Sequence, residues 1–497
     1  MPAIRTRIAP SPTGHLHIGT ARTALFNYLF AKKQGGHFVV RIEDTDLERS
    51  DEKYETDIFD GLKWLGIEAD ESPVRGGDFA PYRQSQRLET YERFLQKLLR
   101  ERRAFHCPHS ERELEDEKKK QLDGKEPPRH ICSARDRQLQ SGIIRLKNER
   151  TAPIIFSDLI RGEISFDPEL LGDFSLAKDL RTPLYNFAVV IDDHEMQISH
   201  VIRGEDHIPN TPKQLLLWAA LWPDEPPPAY AHLPLILGPD RAKLSKRHGA
   251  TAIREFRDAG YLPEALTNFM ALLGWNPAPE QSSVRGKSRE KEREIFSIQE
   301  LTKLFSLEKV QKSGAIFNIE KLDWMNGEYI RKKSVPELTE LCRLHLADFL
   351  QTPNSKSQFP NEYVQQVVAL EQPRMKTLAD IRAAEFFFRL PDYPPLLLSW
   401  EHMSLDAVRG ELNRATGLID KIPESEFTKK NLETGFLQEI GKGSKGELLW
   451  PLRVALSGKE ASPGPFEIME LLGKVETLGR IQEAAAKLTS PETKGET

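Results

Sequence analysis

Pro10-Ser11-Pro12-Thr13-Gly14-His15-Leu16-His17-Ile18-Gly19-Thr20 joins a short alternating segment to a helical one, and its reading decides the fold. Upstream, Ile4, Thr6 and Ile8 alternate with Arg5 and Arg7, the pattern of a strand. Downstream, Ile18, Leu25, Tyr28 and Leu29 recur at helical spacing until Gly35-Gly36 stops the helix. Residues 38–42, β-branched and aromatic, read as a second strand. Strand, turn-rich loop, helix and strand predict a parallel sheet with its ligand crevice at the strand C-termini. Gly14 and Gly19 let a ligand approach the backbone closely. The helix N-terminus offers free N–H groups and a positive dipole end to phosphates, and His15 and His17 sit where a side chain can donate to a phosphate oxygen. Alone, the segment fits equally well a capped helix with solvent-facing histidines.

Around this unit the chain runs to 497 residues, about three domains at ~150 residues each. Hydrophobic residues at 39% and charged residues at 29% describe a globular chain, neither disordered nor fibrous. No apolar stretch approaches the ~20 residues that span a bilayer, and residues 1–8 carry no secretory h-region. Three cysteines exclude a disulfide framework and fit a reducing, cytoplasmic setting. A net charge of -5 argues against indiscriminate nucleic-acid binding but leaves room for RNA held by local basic patches. Residues 85–105 read as an amphipathic helix, 106–140 as a charged insertion, and 215–221 as a buried helix. Two strands are expected at 187–191 and 196–202 around an Asp192-Asp193-His194 turn, and another over 230–237. Residues 277–294 lack any apolar period and read as a solvated loop. Helical patterns follow at 298–305, 336–350, 361–371, 404–415, 427–440 and 467–488, before a polar tail at 489–497. Cys342, beside Leu341 and Leu344, reads as core.

A second chemical segment is Lys243-Leu244-Ser245-Lys246-Arg247-His248-Gly249, after a Gly238-Pro239-Asp240 turn. Three cations in five residues suit a triphosphate and the charge that develops on pyrophosphate; by themselves they equally make a solvated basic loop. Together the two segments resemble the paired signatures of class I aminoacyl-tRNA synthetases: His17-Ile18-Gly19-Thr20, with Thr for the second His of the first signature, and Lys243–Arg247 as the second. Residues 7–23, 27–28, 41–46, 201–207, 260–275, 322–331 and 450–458 narrow the resemblance to bacterial-type glutamyl-tRNA synthetases.

The resemblance implies an α/β Rossmann-like catalytic domain with an inserted acceptor-stem domain, followed by an α-helical anticodon-binding half. The expected bounds are 1–105 and 186–240 for the two catalytic halves, 106–185 for the insertion, 241–330 for the signature loop and stem-contact region, and 331–497 for the anticodon domain. It implies glutamate activation by Mg-ATP to an adenylate, then transfer to the 3′ end of tRNA(Glu), with tRNA(Gln) left open as a second acceptor and a monomer expected. His17, Gly19, Lys243, Lys246 and Arg247 match the family's ATP positions, with His17, Lys243 and Lys246 catalytic; Arg7, Ser11, Glu43, Tyr185 and Arg203 match its amino-acid pocket. Two arginines suit an anionic side chain, although ordinary salt bridging to Glu43 or Glu205 is the alternative for Arg7 and Arg203. A glutaminyl enzyme would be expected to end in β-barrels, a shortened tRNA-modifying relative would lack the second half, and a non-catalytic tRNA-binding scaffold would have no use for His17 and Lys246.

Cys107-Pro108-His109 and His130-Ile131-Cys132 carry two Cys and two His, a complete tetrahedral zinc set. Some relatives carry zinc here on Cys-x-Cys and a Cys with a His, so His109 and His130 depart from that pattern; a zinc-free insertion with two free thiols is the alternative. Arg331-Lys332-Lys333 and Arg374-Met375-Lys376 are local basic patches in the half expected to hold the anticodon.

Overall fold

The computed structural model describes residues 3–46, 48–277, 293–350, 359–440 and 444–488. Residues 278–292 of the charged stretch, and the tail at 489–497, lie outside the described residues. The chain divides into two compact units, Met1–Leu322 and Asp323–Thr497.

In the first unit the strands are β1 Arg5–Ile8, β2 His37–Val40, β3 Ala104–Cys107, β4 Ile143–Leu146, β5 Ile154–Asp158, β6 Gly162–Phe166, β7 Ser175–Ala177, β8 His200–Gly204, β9 Ala229–Leu233, β10 Ile236–Leu237 and β11 Ala315–Ile316. Six form one sheet in the order β2-β1-β8-β9-β5-β6, parallel except for the β5–β6 hairpin at its edge. β3, β4 and β7 form a separate antiparallel sheet, and β10 pairs with β11. Residues 154–166 thus join the large sheet although they fall within the stretch expected to be the insertion.

Helix α1, Ile18–Lys33, crosses over from β1 to β2 as the strand–loop–helix–strand reading requires. Ile18, Ala21, Leu25 and Leu29 are buried, and so are Arg22, Thr23 and Asn27. Each of the polar ones makes at least one hydrogen bond, although Arg22 Nε and Asn27 Oδ1 have no partner. Asn27 donates to the carbonyl of Ile202 at 2.9 Å and accepts from Thr6 Oγ1 on its own carbonyl at 3.0 Å, which ties α1 to β1 and β8. Arg5, buried within β1, makes a bidentate pair with Glu71 at 2.6 and 2.9 Å.

Two expectations are corrected. Tyr185–Glu195 is a helix, not a strand followed by a turn. Phe187, Ala188, Val189, Val190 and Ile191 form an unbroken buried apolar run within this helix, so its sequence has no period to separate it from a buried strand. Asp192 and Asp193 are buried too, held by ion pairs rather than by a turn. The strand expected over 230–237 ends at Leu233, because Pro234 cannot donate to the ladder; β10 then pairs elsewhere.

The described part of the second unit is helical: Val335–Leu350, Asn361–Glu371, Leu405–Asp420, Lys429–Ile440, Lys445–Ser457, Pro465–Leu472 and Lys474–Lys487. The helix expected over 467–488 is broken at Gly473, whose φ of 79° is left-handed. Lys445–Ser457 is helical despite an interior Pro451. Cys342 is fully buried, whereas Leu344 beside it is exposed. No described helix is long and apolar enough to cross a membrane.

Candidate active site

A cavity of about 660 Å³ opens at the C-terminal ends of β1, β8 and β9. Arg7, Ser11, His17, Gly19, Glu43, Tyr185, Arg203 and Lys243 all line it, so eight of the ten residues matched to ATP and the amino acid meet in one place. Lys246 and Arg247 are not on its wall; both are exposed on the neighbouring loop.

His17 caps α1. Its Nδ1 accepts from the Gly19 N–H at 3.0 Å. Burial, with Lys243 nearby, lowers its pKa, so the ring is neutral at pH 7. With Nδ1 accepting, the single ring proton lies on Nε2, available to donate. Backbone bonds then tie this entrance to the far side of the basic loop. Ile18 donates to the Thr251 carbonyl at 2.8 Å, Ile253 donates to the Leu16 carbonyl at 2.9 Å, and His17 pairs with Ala252 as an antiparallel bridge.

The basic loop is braced from within. Arg247 and His248 both engage Asp240, at 2.9 and 3.1 Å, and His248 Nδ1 accepts from the Ser245 N–H at 3.1 Å. Lys243 reaches across to Asp206 at 3.2 Å.

On the opposite wall the two pocket arginines differ. Arg7 bonds Asp193 through Nε and Nη2 at 3.1 and 3.2 Å, and Arg41, fully buried, bonds the same carboxylate at 2.7 Å. Burial pushes the Asp193 pKa up, but Arg7 and Arg41 hold it below the usual range. Arg41 also holds Glu43 at 3.3 Å; there burial prevails and the Glu43 pKa is raised. Among the described residues Arg203 has no carboxylate partner. Its Nη2 donates to Thr211 Oγ1 at 2.8 Å and its Nε to His232 at 3.1 Å, while Nη1 is buried with no partner. The salt-bridge alternative thus holds for Arg7, with Asp193 as partner, and not for Arg203. Tyr185 Oη lies 3.0 Å from His207 Nδ1; burial raises the Tyr185 pKa to about 12 and lowers that of His207 to about 4, so the phenol donates to a neutral imidazole.

Sequence reasoning missed Arg41, Asp193, His207, His232 and Arg22. Asp193 was hidden by its expected place in a turn. Arg22 is legible only as a cation within an apolar helix; its donors go to the carbonyls of Pro234 and Leu273, and burial lowers its pKa to about 10.

The Cys and His residues at 107, 109, 130 and 132 also meet, their ligand atoms all within 4.8 Å of one another. Sγ of Cys107 and Cys132 are 3.7 Å apart; Cys107 is 3.4 Å from His109 Nδ1 and 3.5 Å from His130 Nε2, and Cys132 is 3.5 Å from His109 Nδ1. Tetrahedral zinc, with bonds of about 2.3 Å to sulfur and about 2.0–2.1 Å to nitrogen, requires S···S of about 3.8 Å and S···N of about 3.5 Å. The four residues fit that ion. His130 Nδ1 meets Glu117 at 2.5 Å, which leaves Nε2 to face the cluster. Gly172, at φ +56°, passes so close to His130 that a Cβ would stand 2.5 Å from its carbonyl oxygen.

In the second unit a cavity of about 510 Å³ is lined by Arg374, Arg453 and Glu371 among others. Arg331 is paired with Glu328 at 2.6 Å.

A family model described as tRNA synthetases class I (E and Q), catalytic domain, matches residues 3–324, and one described as an anticodon binding domain matches residues 337–485. The chain is similar to the glutamate–tRNA ligase of Moorella thermoacetica, 43% identical over 500 residues with 98% of each protein covered. It is 42% identical to that of Dehalococcoides mccartyi over 494 residues, again with 98% of each covered. Among solved structures it is similar to a glutamate tRNA ligase from Elizabethkingia meningosepticum in complex with its amino acid, with a TM-score of 0.84, 32% identity, and 98% of this chain and 100% of that one covered. The glutamate-tRNA synthetase of Elizabethkingia anophelis gives a TM-score of 0.82 at 32% identity, covering 97% of this chain and 100% of that one.

Proposed function

Since this chain belongs to the class I tRNA synthetases for glutamate and glutamine, within their glutamate–tRNA ligases, we propose how its own residues divide the work of joining glutamate to tRNA. The reaction is aminoacylation. An α-carboxylate oxygen of glutamate attacks the α-phosphorus of ATP, and the bond to pyrophosphate breaks. A hydroxyl of the terminal ribose of tRNA(Glu) then attacks the acyl carbon, and AMP leaves. Such chemistry asks the protein for alignment and for charge stabilisation more than for covalent steps.

Arg203 takes the side-chain carboxylate of glutamate, and Glu43 takes the ammonium. The observation that carries this reading is Arg203 itself: a buried guanidinium on the cavity wall, unpaired with any described carboxylate, with Nη1 lacking an acceptor. Arg7, already neutralised by Asp193, shapes the pocket and adds a secondary field. Ser11 and Tyr185 border the amino acid, and Gly19 leaves room for adenine. His17 donates its Nε2 proton to a phosphate oxygen, and Lys243 adds a cation to the same wall. Lys246 and Arg247 reach the phosphates by an inward movement of their loop once Mg-ATP is bound.

Cys107, His109, His130 and Cys132 hold one zinc, which fastens the loop after β3 to residues 130–132 and leaves no open coordination position. The second unit contacts the anticodon, with Arg374 in its cavity. The single chain is the working unit, in the cytoplasm.

Aminoacylation of purified tRNA(Glu) and tRNA(Gln) with both amino acids tests the reading. The chain is expected to charge tRNA(Glu) with glutamate, and Arg203→Gln to lower the glutamate-to-glutamine ratio of kcat/KM at least about tenfold, because glutamine can satisfy the neutral side chain better than the cation. An unchanged ratio would remove Arg203 from the amino-acid pocket.

A further inference from the structure

Arg203, His232 and Asp158 stand on three adjacent strands. Arg203 on β8 is the register partner of His232 on β9, and Asp158 ends β5, which pairs with β9. All three are buried. They are joined in a row: Arg203 Nε to His232 Nε2 at 3.1 Å, and His232 Nδ1 to Asp158 Oδ2 at 2.6 Å. We propose that His232 and Asp158 are positioning residues for glutamate recognition, acting through Arg203; this rests on the reading that Arg203 binds the substrate carboxylate.

A guanidinium can only donate, so His232 Nε2 must be the acceptor. The imidazole is therefore neutral, with its proton on Nδ1 and donated to Asp158. Asp158 is itself fixed, accepting at Oδ1 from the N–H groups of Ile160 and Arg161 at 2.9 and 2.8 Å. Burial lowers the His232 pKa, in keeping with the neutral ring.

The arrangement does two things at once. Nε and Nη2 of Arg203 are held by His232 and Thr211, which sets the plane of the guanidinium, while Nη1 is buried without a partner in a residue that lines the cavity. Asp158 is also kept one imidazole away. A carboxylate in direct contact would neutralise Arg203 as Asp193 does Arg7, and the substrate would then meet a spent ion pair. A neutral acceptor orients the cation and leaves its charge for the ligand.

Four variants assayed with tRNA(Glu) test this: Arg203→Gln, His232→Leu, His232→Gln and the Arg203→Gln/His232→Leu double. His232→Leu is expected to raise the glutamate KM at least about tenfold, the loss expected when a bond to a charged group goes, with the ATP KM unchanged within a factor of about two. His232→Gln, whose Oε1 can accept from Arg203 Nε, should recover most of the loss. In the double variant the Leu change should add nothing to Arg203→Gln. A silent His232→Leu beside a damaging Arg203→Gln would overturn the positioning role alone. Full additivity, or an ATP KM that rises with the glutamate KM, would also overturn it. An unchanged glutamate KM in Arg203→Gln would instead overturn the reading of Arg203, and this inference with it. Should His232→Leu not fold, Asp158→Asn replaces it: the amide can still accept from the turn but no longer charge-pairs with the Nδ1 proton, and an unchanged glutamate KM there would refute the proposal.

Discussion

In the proposed reading His17 caps α1 with one nitrogen and serves ATP with the other, and substitution can separate the two roles. Asn keeps an acceptor for the Gly19 N–H and is among the best N-cap residues. His17→Asn should therefore melt near the parent temperature yet lose about 10²–10³ in kcat, the usual cost of one transition-state donor. His17→Ala should lose the cap as well, about 0.5–2 kcal/mol by denaturant titration. Glu43 supplies a pH signature. Burial raises its pKa, so in the empty site it takes up a proton at higher pH than an exposed glutamate does. In the proposed reading the substrate ammonium needs the ionised form. Glutamate KM should rise as pH falls through that raised pKa, while ATP KM stays flat, and Glu43→Gln should abolish the difference between the two profiles. Much of this was legible at the level of single residues, because the signature segments carry their chemistry in contiguous runs. What stayed hidden were the partners. Asp193, His232 and Asp158 gain meaning only from which strand or helix lies beside which, and no local spacing reports that.

The β1–α1–β2 unit was legible because its loop is dense in turn residues and its strands are short, the first alternating Ile, Thr and Arg and the second β-branched and aromatic. The Tyr185–Glu195 helix was not, since its continuous buried run Phe187–Asp193 erases the period on which such a reading depends. The Cys/His knuckle lies between: its residue types were readable, its closure was not, for it needs β3, the loop at 130–132 and the left-handed Gly172 to converge. Protein purified without added metal should contain about one zinc per chain. Cys132→Ser should speed amide exchange first in residues 104–146, since the binding free energy of such a site is folding free energy for the segment it closes. Equal exchange in parent and variant, with no zinc in the parent, would return the site to a pair of buried thiols.

A chain of net charge -5 that binds a polyanion must do so through local fields. Affinity for tRNA should accordingly fall steeply with salt. Between about 50 and 200 mM monovalent salt the tRNA KM should rise roughly tenfold or more, as expected when several phosphates are neutralised, while the glutamate KM barely moves. Parallel salt profiles for the two substrates would contradict this. Each of the two compact units holds a cavity of its own, one within the matched catalytic domain and one within the matched anticodon binding domain. The bridge between His17 and Ala252 has a further consequence, one of timing. The two halves of this junction, residues 16–18 and 251–253, are separated by more than 230 residues of sequence and are joined by main-chain bonds. At a ribosomal pace of about 5–20 residues per second, the second half leaves the ribosome roughly ten to fifty seconds after the first. The cap around His17 therefore closes only once residues 251–253 have emerged, however early the strand and helix of the first segment form.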